Sequence, residues 1–185
     1  MGKSEKLGIL WNSQTRNKRV WRVDNISGFY HSMLRDWWDY FGLEGSGILV
    51  GESGKYGENV KSKLQADYPN IKKIFTVDLI DADINCDIQK NIPIIEKVDW
   101  IICQAVLEHL ADPFGSMVNM LYTLKTGGVG FFHTVGPSYG YHAYPIDCCR
   151  FFRDIFFEWE KMIPNVIIED IMYTIKHCFV VYKKV

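Results

Sequence analysis

Apolar residues follow two alternating patterns along this 185-residue chain. Short continuous runs, such as Ile48-Leu49-Val50, are typical of strands buried on both faces. Apolar positions three and four residues apart, as in residues 29–40, predict amphipathic helices. The predicted strands are 48–50, 74–77, 100–103, 129–134, 166–168 and 179–182, and the predicted helices are 29–40, 57–68, 112–125 and 151–162. This alternation predicts an α/β fold with a mostly parallel sheet and helices on both faces. Residues 1–27 show only weak periodicity.

The loops at the carboxyl ends of the strands are where function is expected, because ligands of such sheets bind there. The loop after Val50 reads Gly-Glu-Ser-Gly-Lys-Tyr-Gly, and its glycines allow a ligand close to main-chain amides. Asp78 follows Gly57 by 21 residues, at the end of the second strand. A carboxylate there can accept hydrogen bonds from two ribose hydroxyls. A tight turn without a ligand is the alternative interpretation of the glycines.

Two common nucleotide motifs do not fit this loop. Aligning the dinucleotide fingerprint on Gly54 and Gly57 puts Glu52 at the first glycine position, where its charge would repel a pyrophosphate. A Walker loop is absent because no Gly-Lys-Ser/Thr occurs. An NAD-dependent oxidoreductase is therefore disfavoured.

Composition places the chain among globular proteins, with 48% hydrophobic and 23% charged residues. Five cysteines without a Cys-x-x-Cys pair predict reduced thiols, a cytoplasmic location and no metal site of the zinc type. No apolar run approaches the roughly 18 residues of a membrane span, and the N-terminus lacks a signal-peptide pattern. The net charge of −1 is unevenly distributed, because residues 1–22 hold six bases and one acid. They form either a solvated leader or an arm that meets a polyanion or an anionic substrate.

Several stretches together resemble the class I S-adenosylmethionine-dependent methyltransferases. The closest is residues 98–113, which is similar to the family's "FDLVVCxxVLEHxxDP" signature, followed by residues 124–128, which resemble its "LKPGG" turn. Residues 48–54 resemble its first glycine motif, 77–79 its ribose-binding acid and 82–88 the loop whose Asp meets the adenine amino group. The resemblance covers residues 47–162.

The resemblance implies S-adenosyl-L-methionine as cofactor and assigns residues to it. Residues 51–54 would receive the methionine part, Asp78 the ribose and Asp87 with Ile88 the adenine, while Gln104 and Ala105 would lie below the methyl group. The full implied set is Gly51, Glu52, Ser53, Gly54, Tyr56, Asp78, Leu79, Asp87, Ile88, Gln104 and Ala105. The family usually has an acid just before the first glycine. This chain has Leu49 or Val50 there, and Glu52 or Ser53 is the hypothetical substitute.

A second resemblance concerns residues 142–151, which are similar to the "HxYPxDxxRF" segment of methyltransferases of surface sugar and lipid pathways. This chain departs from that segment at Cys148 and Cys149, where family members commonly have aromatic residues. The segment follows a glycine- and aromatic-rich loop, and we expect residues 137–147 to cover the acceptor.

Methyl transfer from a sulfonium requires mainly alignment, and a base is needed only for a poorly ionised acceptor. His142 is the first candidate base and His109 the second. The alternative for His109 is a structural role, in which it caps the turn before Asp112. Asp147 either orients His142 or forms a structural pair with Arg150. His133 lies inside a predicted strand, which favours a core histidine.

The sequence thus predicts a Rossmann-like, mostly parallel seven-stranded sheet in residues 46–185, a minimal methyltransferase domain. Residues 1–45, a basic segment and a helix, would cover the substrate. The predicted acceptor is a small molecule, sugar or lipid, nucleic acid stays open, and the chain is compatible with a homo-oligomer. A cofactor-binding regulatory or scaffold protein without turnover is the alternative function.

Overall fold

The computed structural model describes residues 8–9, 19–22, 30–93, 96–143 and 145–185, and only the backbone of residues 8–9, 19–22 and 30–33. Most of the basic leader and the predicted start of the first helix at Phe29 lie outside these residues. The strands are β1 (Gly8–Ile9), β2 (Arg19–Arg22), β3 (Gly45–Val50), β4 (Ile71–Asp78), β5 (Ile84–Asn85), β6 (Val98–Gln104), β7 (Leu124–Val135), β8 (Val166–Tyr173) and β9 (His177–Lys184). The helices are α1 (Tyr30–Phe41), α2 (Gly54–Asp67), α3 (Pro113–Tyr122) and α4 (Asp154–Met162), with a 3-10 turn at Leu107–His109.

The strands form one sheet in the order β1-β2-β8-β9-β7-β6-β3-β4-β5. Strands β3 to β7 pair in parallel, and β9 is antiparallel to both β7 and β8. The seven strands β3 to β9 confirm the predicted mostly parallel sheet. Strands β1 and β2 extend it beyond β8, and the weak periodicity of residues 1–27 did not predict them.

Each face of the sheet carries two of the described helices, as predicted. On one face, Leu34, Trp37 and Trp38 of α1 and Leu64 of α2 form a buried cluster with inward residues such as Leu49. On the other face, α3 and α4 pack on residues of the opposite parity, because side chains of a strand alternate between faces. Helix α1 is therefore part of the core, and its predicted role as a substrate cover stays a prediction.

Three predicted helix boundaries were wrong, each because a backbone hydrogen bond starts or ends the helix elsewhere. Helix α2 begins at Gly54 instead of Gly57, since the Gly57 amide donates to the Ser53 carbonyl (3.0 Å) and closes a first turn there. Helix α3 ends at Tyr122 instead of Lys125, because Leu124 already pairs with β6. Helix α4 starts at Asp154 instead of Phe151, whose amide donates to the Val135 carbonyl (3.0 Å).

The strand order reverses between β3 and β6. From β3 the chain moves outward to β4 and β5 and then crosses back to β6 on the other side of β3. Such a switch opens a crevice at the carboxyl ends of the two strands, where ligands of open α/β sheets bind. The loops after Val50 and Gln104 therefore lie where the sequence led us to expect function.

Candidate active site

A cavity of about 360 Å³ opens at the carboxyl ends of β3, β4 and β6. Six of the predicted cofactor residues line it: Gly51, Asp78, Leu79, Asp87, Ile88 and Ala105. His109 also lines it, together with Pro145 and Ile146 of the "HxYPxDxxRF" segment. Loops that are distant in sequence thus meet at the switch point of the sheet.

Two residues with left-handed backbone conformations shape the floor of this cavity. Gly51 has a φ of 79°, and a Cβ there would come within 2.4 Å of Val106 Cγ2. Only glycine meets both conditions without strain. Ala105 has a φ of 52° and donates its amide to the His133 carbonyl (2.9 Å). Such strain in a non-glycine residue costs about 1 kcal/mol or more and is common at functional sites.

Carboxylates lie in two parts of the cavity. Asp78 Oδ1 accepts the amide of Leu79 (2.6 Å), whereas Oδ2 has no partner among the described residues and can accept hydrogen bonds from a ligand. Asp87 Oδ1 accepts the Gln89 amide (3.1 Å), and this hydrogen bond lowers the pKa of the Asp87 carboxyl. Asn119 fixes the next residue by donating to the Ile88 carbonyl (2.8 Å). The arrangement suits a nucleoside, with one acid for hydroxyls and another for an amino group.

The rest of the predicted cofactor set is not brought to this cavity. Tyr56 and Gln104 line a second cavity of about 490 Å³, together with Trp38 of α1 and residues of α2. Glu52, Ser53 and Gly54 line neither cavity. The family resemblance assigned all five to one ligand by their place in its motifs, which do not show on which side of the sheet each side chain lies.

Glu52 is a buried acid at the start of the glycine loop. It is 8% exposed, and none of the described residues donates a hydrogen bond to its carboxylate. Burial, and then the negative charge of Asp78, raise the pKa of Glu52 to about 7. Near neutral pH this side chain therefore exists as a mixture of acid and carboxylate, and a cation nearby would favour the carboxylate.

The predicted catalytic residues lie together beside the cavity. The rings of His109 and His142 meet edge to face, with centroids 4.9 Å apart. Asp147 Oδ2 accepts the backbone amide of His142 (2.8 Å) and lies 3.5 Å from its ring Nδ1. Arg150 donates to both oxygens of Asp147 and holds the pKa of that carboxyl below its usual range. Asp147 thus pairs with Arg150 and lies beside the His142 ring without a hydrogen bond to Nδ1, so its role in orienting that ring stays a prediction.

Glu108 completes this cluster, and sequence reasoning missed it as a site residue. Its side chain is fully buried, and burial raises the pKa of its carboxyl. The Thr134 hydroxyl donates to Oε2 (2.7 Å), while Oε1 lies 3.8 Å from His142 Nε2. A charged residue between apolar Leu107 and Leu110 was the available signal, because acids are rarely buried without a role.

The segment after the cluster closes the wall of the cavity. The amides of Cys148 and Cys149 both donate to the Glu108 carbonyl, at 2.7 and 3.0 Å. These bonds hold Pro145 and Ile146 against the cavity, next to His109. His133, in contrast, is a buried core histidine as predicted, and its Nε2 lies 3.0 Å from Nδ1 of His177.

No family model and no curated protein matches the sequence. Solved structures match in fold. An S-adenosylmethionine-dependent methyltransferase from Clostridium acetobutylicum is 12% identical, with a TM-score of 0.63, over 84% of this chain and 90% of that chain. The N-methyltransferase NodS from Bradyrhizobium japonicum, in complex with S-adenosyl-L-homocysteine, is 13% identical, with a TM-score of 0.57, over 84% and 85%. A 1,6-didemethyltoxoflavin-N1-methyltransferase from Burkholderia thailandensis, with its substrate and S-adenosylhomocysteine bound, is 11% identical, with a TM-score of 0.59, over 84% and 83%.

These likenesses show that the chain has the fold of the class I S-adenosylmethionine-dependent methyltransferases. The narrower resemblance to methyltransferases of surface sugar and lipid pathways stays a prediction. Within the residues that the structure describes, no helix has the length and apolar character needed to cross a membrane.

Proposed function

We propose that this chain is an S-adenosyl-L-methionine-dependent methyltransferase whose 360 Å³ cavity holds the adenosine part of the cofactor. The observation that carries the proposal is the pair of carboxylates in that cavity. Asp78 has an oxygen available for the ribose hydroxyls, and Asp87 lies among apolar residues where the adenine amino group would bind. The fold of the structural neighbours, two of them with S-adenosylhomocysteine bound, supports the same conclusion.

The methionine end of the cofactor would extend from this cavity past Gly51. There the backbone turns sharply in a left-handed conformation, and the Val106 side chain packs closely against the glycine. Glu52, with Ser53 and Gly54 beside it, lies at the positively polarised start of α2, and its ionised form would attract the cofactor's ammonium group. Tyr56 and Gln104 would meet the methyl-bearing end from the second cavity.

The reaction needs one bond made and one broken at the methyl carbon. With S-adenosylmethionine bound, an acceptor atom would attack that carbon and the carbon–sulfur bond would break, releasing neutral S-adenosylhomocysteine. His142 would take the acceptor's proton, with Asp147 beside its ring. His109 is the second candidate for this role. An acceptor that is already neutral and unprotonated at its nucleophilic atom would not require this step.

We favour a small-molecule acceptor, with a sugar or a lipid next. The second cavity is large enough for a metabolite, and its apolar lining includes Trp38, Leu49 and Ile102. An acceptor there would reach the methyl group from the side of Gln104, whereas one beside His142 would reach it from the other side. Trp38→Ala and His142→Ala, assayed with one substrate, distinguish the two approaches by which variant loses turnover.

Calorimetry with S-adenosylhomocysteine tests the function. We expect the chain to bind this ligand and not NAD, and Asp78→Asn to weaken binding about 10- to 100-fold, because hydrogen bonds to a charged acceptor contribute about 1.5–3 kcal/mol. Asp36→Asn removes an exposed carboxylate of α1 and should leave the affinity unchanged.

Equal affinities in the two variants, or tighter binding of NAD, would contradict the proposal. Binding without turnover over a broad panel of acceptors would instead indicate a regulatory protein.

A further inference from the structure

Three side chains of the cluster beside the cavity carry donor atoms typical of metal ligands. Glu108, His109 and His142 each place one ligand atom within 4.8 Å of the other two. Glu108 Oε1 and His142 Nε2 are 3.8 Å apart. Ligands about 2.1 Å from a tetrahedral ion are separated by about 3.4 Å, so small side-chain movements would close the site.

The buried carboxylate has an unused oxygen that faces the histidines. Glu108 is fully buried, and Oε1 finds no hydrogen-bond partner among the described residues, whereas Oε2 accepts from Thr134. An unsatisfied polar atom in a protein interior costs free energy, and an ion that binds Oε1 removes that cost.

One histidine is held by a ring hydrogen bond in the orientation that a metal requires, and the other lies beside a carboxylate without a hydrogen bond to it. Nδ1 of His109 contacts the Ile146 carbonyl, which can only accept, so this nitrogen carries the proton and Nε2 keeps its lone pair. Nδ1 of His142 lies 3.5 Å from the Asp147 carboxylate, which Arg150 fixes in turn. A carbonyl or carboxylate behind the ring is the usual second layer of a histidine metal site.

We propose that Glu108, His109 and His142 bind a divalent transition-metal ion, with Zn²⁺ as the preferred occupant. Two imidazoles and one carboxylate are a ligand set of zinc enzymes and suit such ions better than Mg²⁺ or Ca²⁺, which prefer oxygen ligands. The side chain of His142 is 33% exposed, which provides a route for the ion and leaves a coordination position for water or another ligand.

The sequence-based expectation of no metal site rested on the spacing of the cysteines. This cluster contains no cysteine, and 33 positions separate its two histidines, a spacing that matches no zinc motif. The proposal concerns binding alone and holds whether or not the chain transfers methyl groups. If the chain does transfer methyl groups, an ion held by the two histidines would lower the pKa of a bound acceptor, and His142 would not be needed as a base.

The test measures Zn²⁺ and Co²⁺ binding to the full chain after treatment with a chelator, without any methyl donor. We expect one equivalent of Zn²⁺ by calorimetry and visible absorption bands from the Co²⁺-loaded protein. His109→Ala and His142→Ala should each weaken binding at least tenfold, since even outer partners of metal sites contribute about 10- to 100-fold.

Two further variants keep the test decisive. Thr134→Val leaves all three ligands in place and should weaken binding about tenfold by releasing Glu108 Oε2. His177→Ala removes a half-buried histidine outside the cluster and should bind as the wild type does. The proposal is overturned if the wild type binds Zn²⁺ no more tightly than the His109→Ala/His142→Ala double variant, or if the Co²⁺ bands persist in that variant.

Discussion

Glu52 makes the stability of the ligand-free chain depend on pH. Its pKa is raised from an ordinary value of 4.5 to about 7, mainly by burial. Below pH 4.5 the side chain is protonated in both the folded and the unfolded chain. Between pH 4.5 and 7 only the unfolded chain loses the proton, so the free energy of unfolding falls as the pH rises, and the loss is complete above pH 7.

Replacing Glu52 by Gln removes this loss. Because one pKa unit corresponds to about 1.4 kcal/mol, the free energy of unfolding of Glu52→Gln, relative to the wild type, should increase by about 2.5 kcal/mol between pH 5 and pH 8. Urea denaturation followed by tryptophan fluorescence at both pH values measures the difference. Glu44→Gln, which changes an exposed carboxyl before β3, is the control and should run parallel to the wild type.

If the difference in free energy of unfolding between Glu52→Gln and wild type changes by less than about 0.5 kcal/mol from pH 5 to pH 8, burial does not raise the pKa of Glu52. The same variant also tests the proposed contact with the cofactor. Wild-type affinity for S-adenosylmethionine should rise as the pH passes 7, because the ionised carboxylate attracts the ligand's ammonium group. That rise should be absent in Glu52→Gln, and unchanged affinity in the variant would count against the contact.

Other consequences follow from the packing around the site. Gly51→Ala should lower the free energy of unfolding by about 1–3 kcal/mol, because the added Cβ meets Val106 and the backbone has a positive φ. It should also weaken S-adenosylhomocysteine binding. Denaturation and calorimetry measure the two effects, and a variant as stable as the wild type would contradict the geometry. Met117→Ala should cost about 2–5 kcal/mol in urea denaturation, since Met117 is fully buried between α3 and the sheet. Cys148 should react first with a thiol reagent in the folded chain because it is exposed. Cys103 and Cys178 are buried and should react only on unfolding. Rapid labelling of all five cysteines would contradict this order.

The sequence predicted those parts of the fold that follow from local periodicity. Runs such as residues 100–103 are apolar throughout because both faces of the central strands are covered, and this pattern identified β3, β4, β6 and β7. It could not predict β1 and β2, which are two and four residues long and therefore too short to show a period. The end of α3 was misplaced because the Gly-Gly pair resembled a helix stop but lies inside β7, and Gly127 has a φ of 84°.

The sequence predicted individual residues of the candidate site, among them Asp78, His109 and His142, but not that Glu108 joins the two histidines. Asp78 ends β4 and Asp87 follows β5, and both line the cavity. The cluster of Glu108, His109 and His142 depends on how residues 145–149 fold back onto the 3-10 turn, through hydrogen bonds to the Glu108 carbonyl. Such long-range contacts leave no periodic signal in the sequence.

Hydrogen exchange with and without S-adenosylhomocysteine measures whether the cofactor binds, as proposed, at the carboxyl ends of β3, β4 and β6. With the ligand bound, we expect slower exchange of amides in residues 51–57, 78–89 and 105–110, with β8 and β9 unaffected. Protection that is absent at saturating ligand, or confined to segments outside these loops, would contradict it.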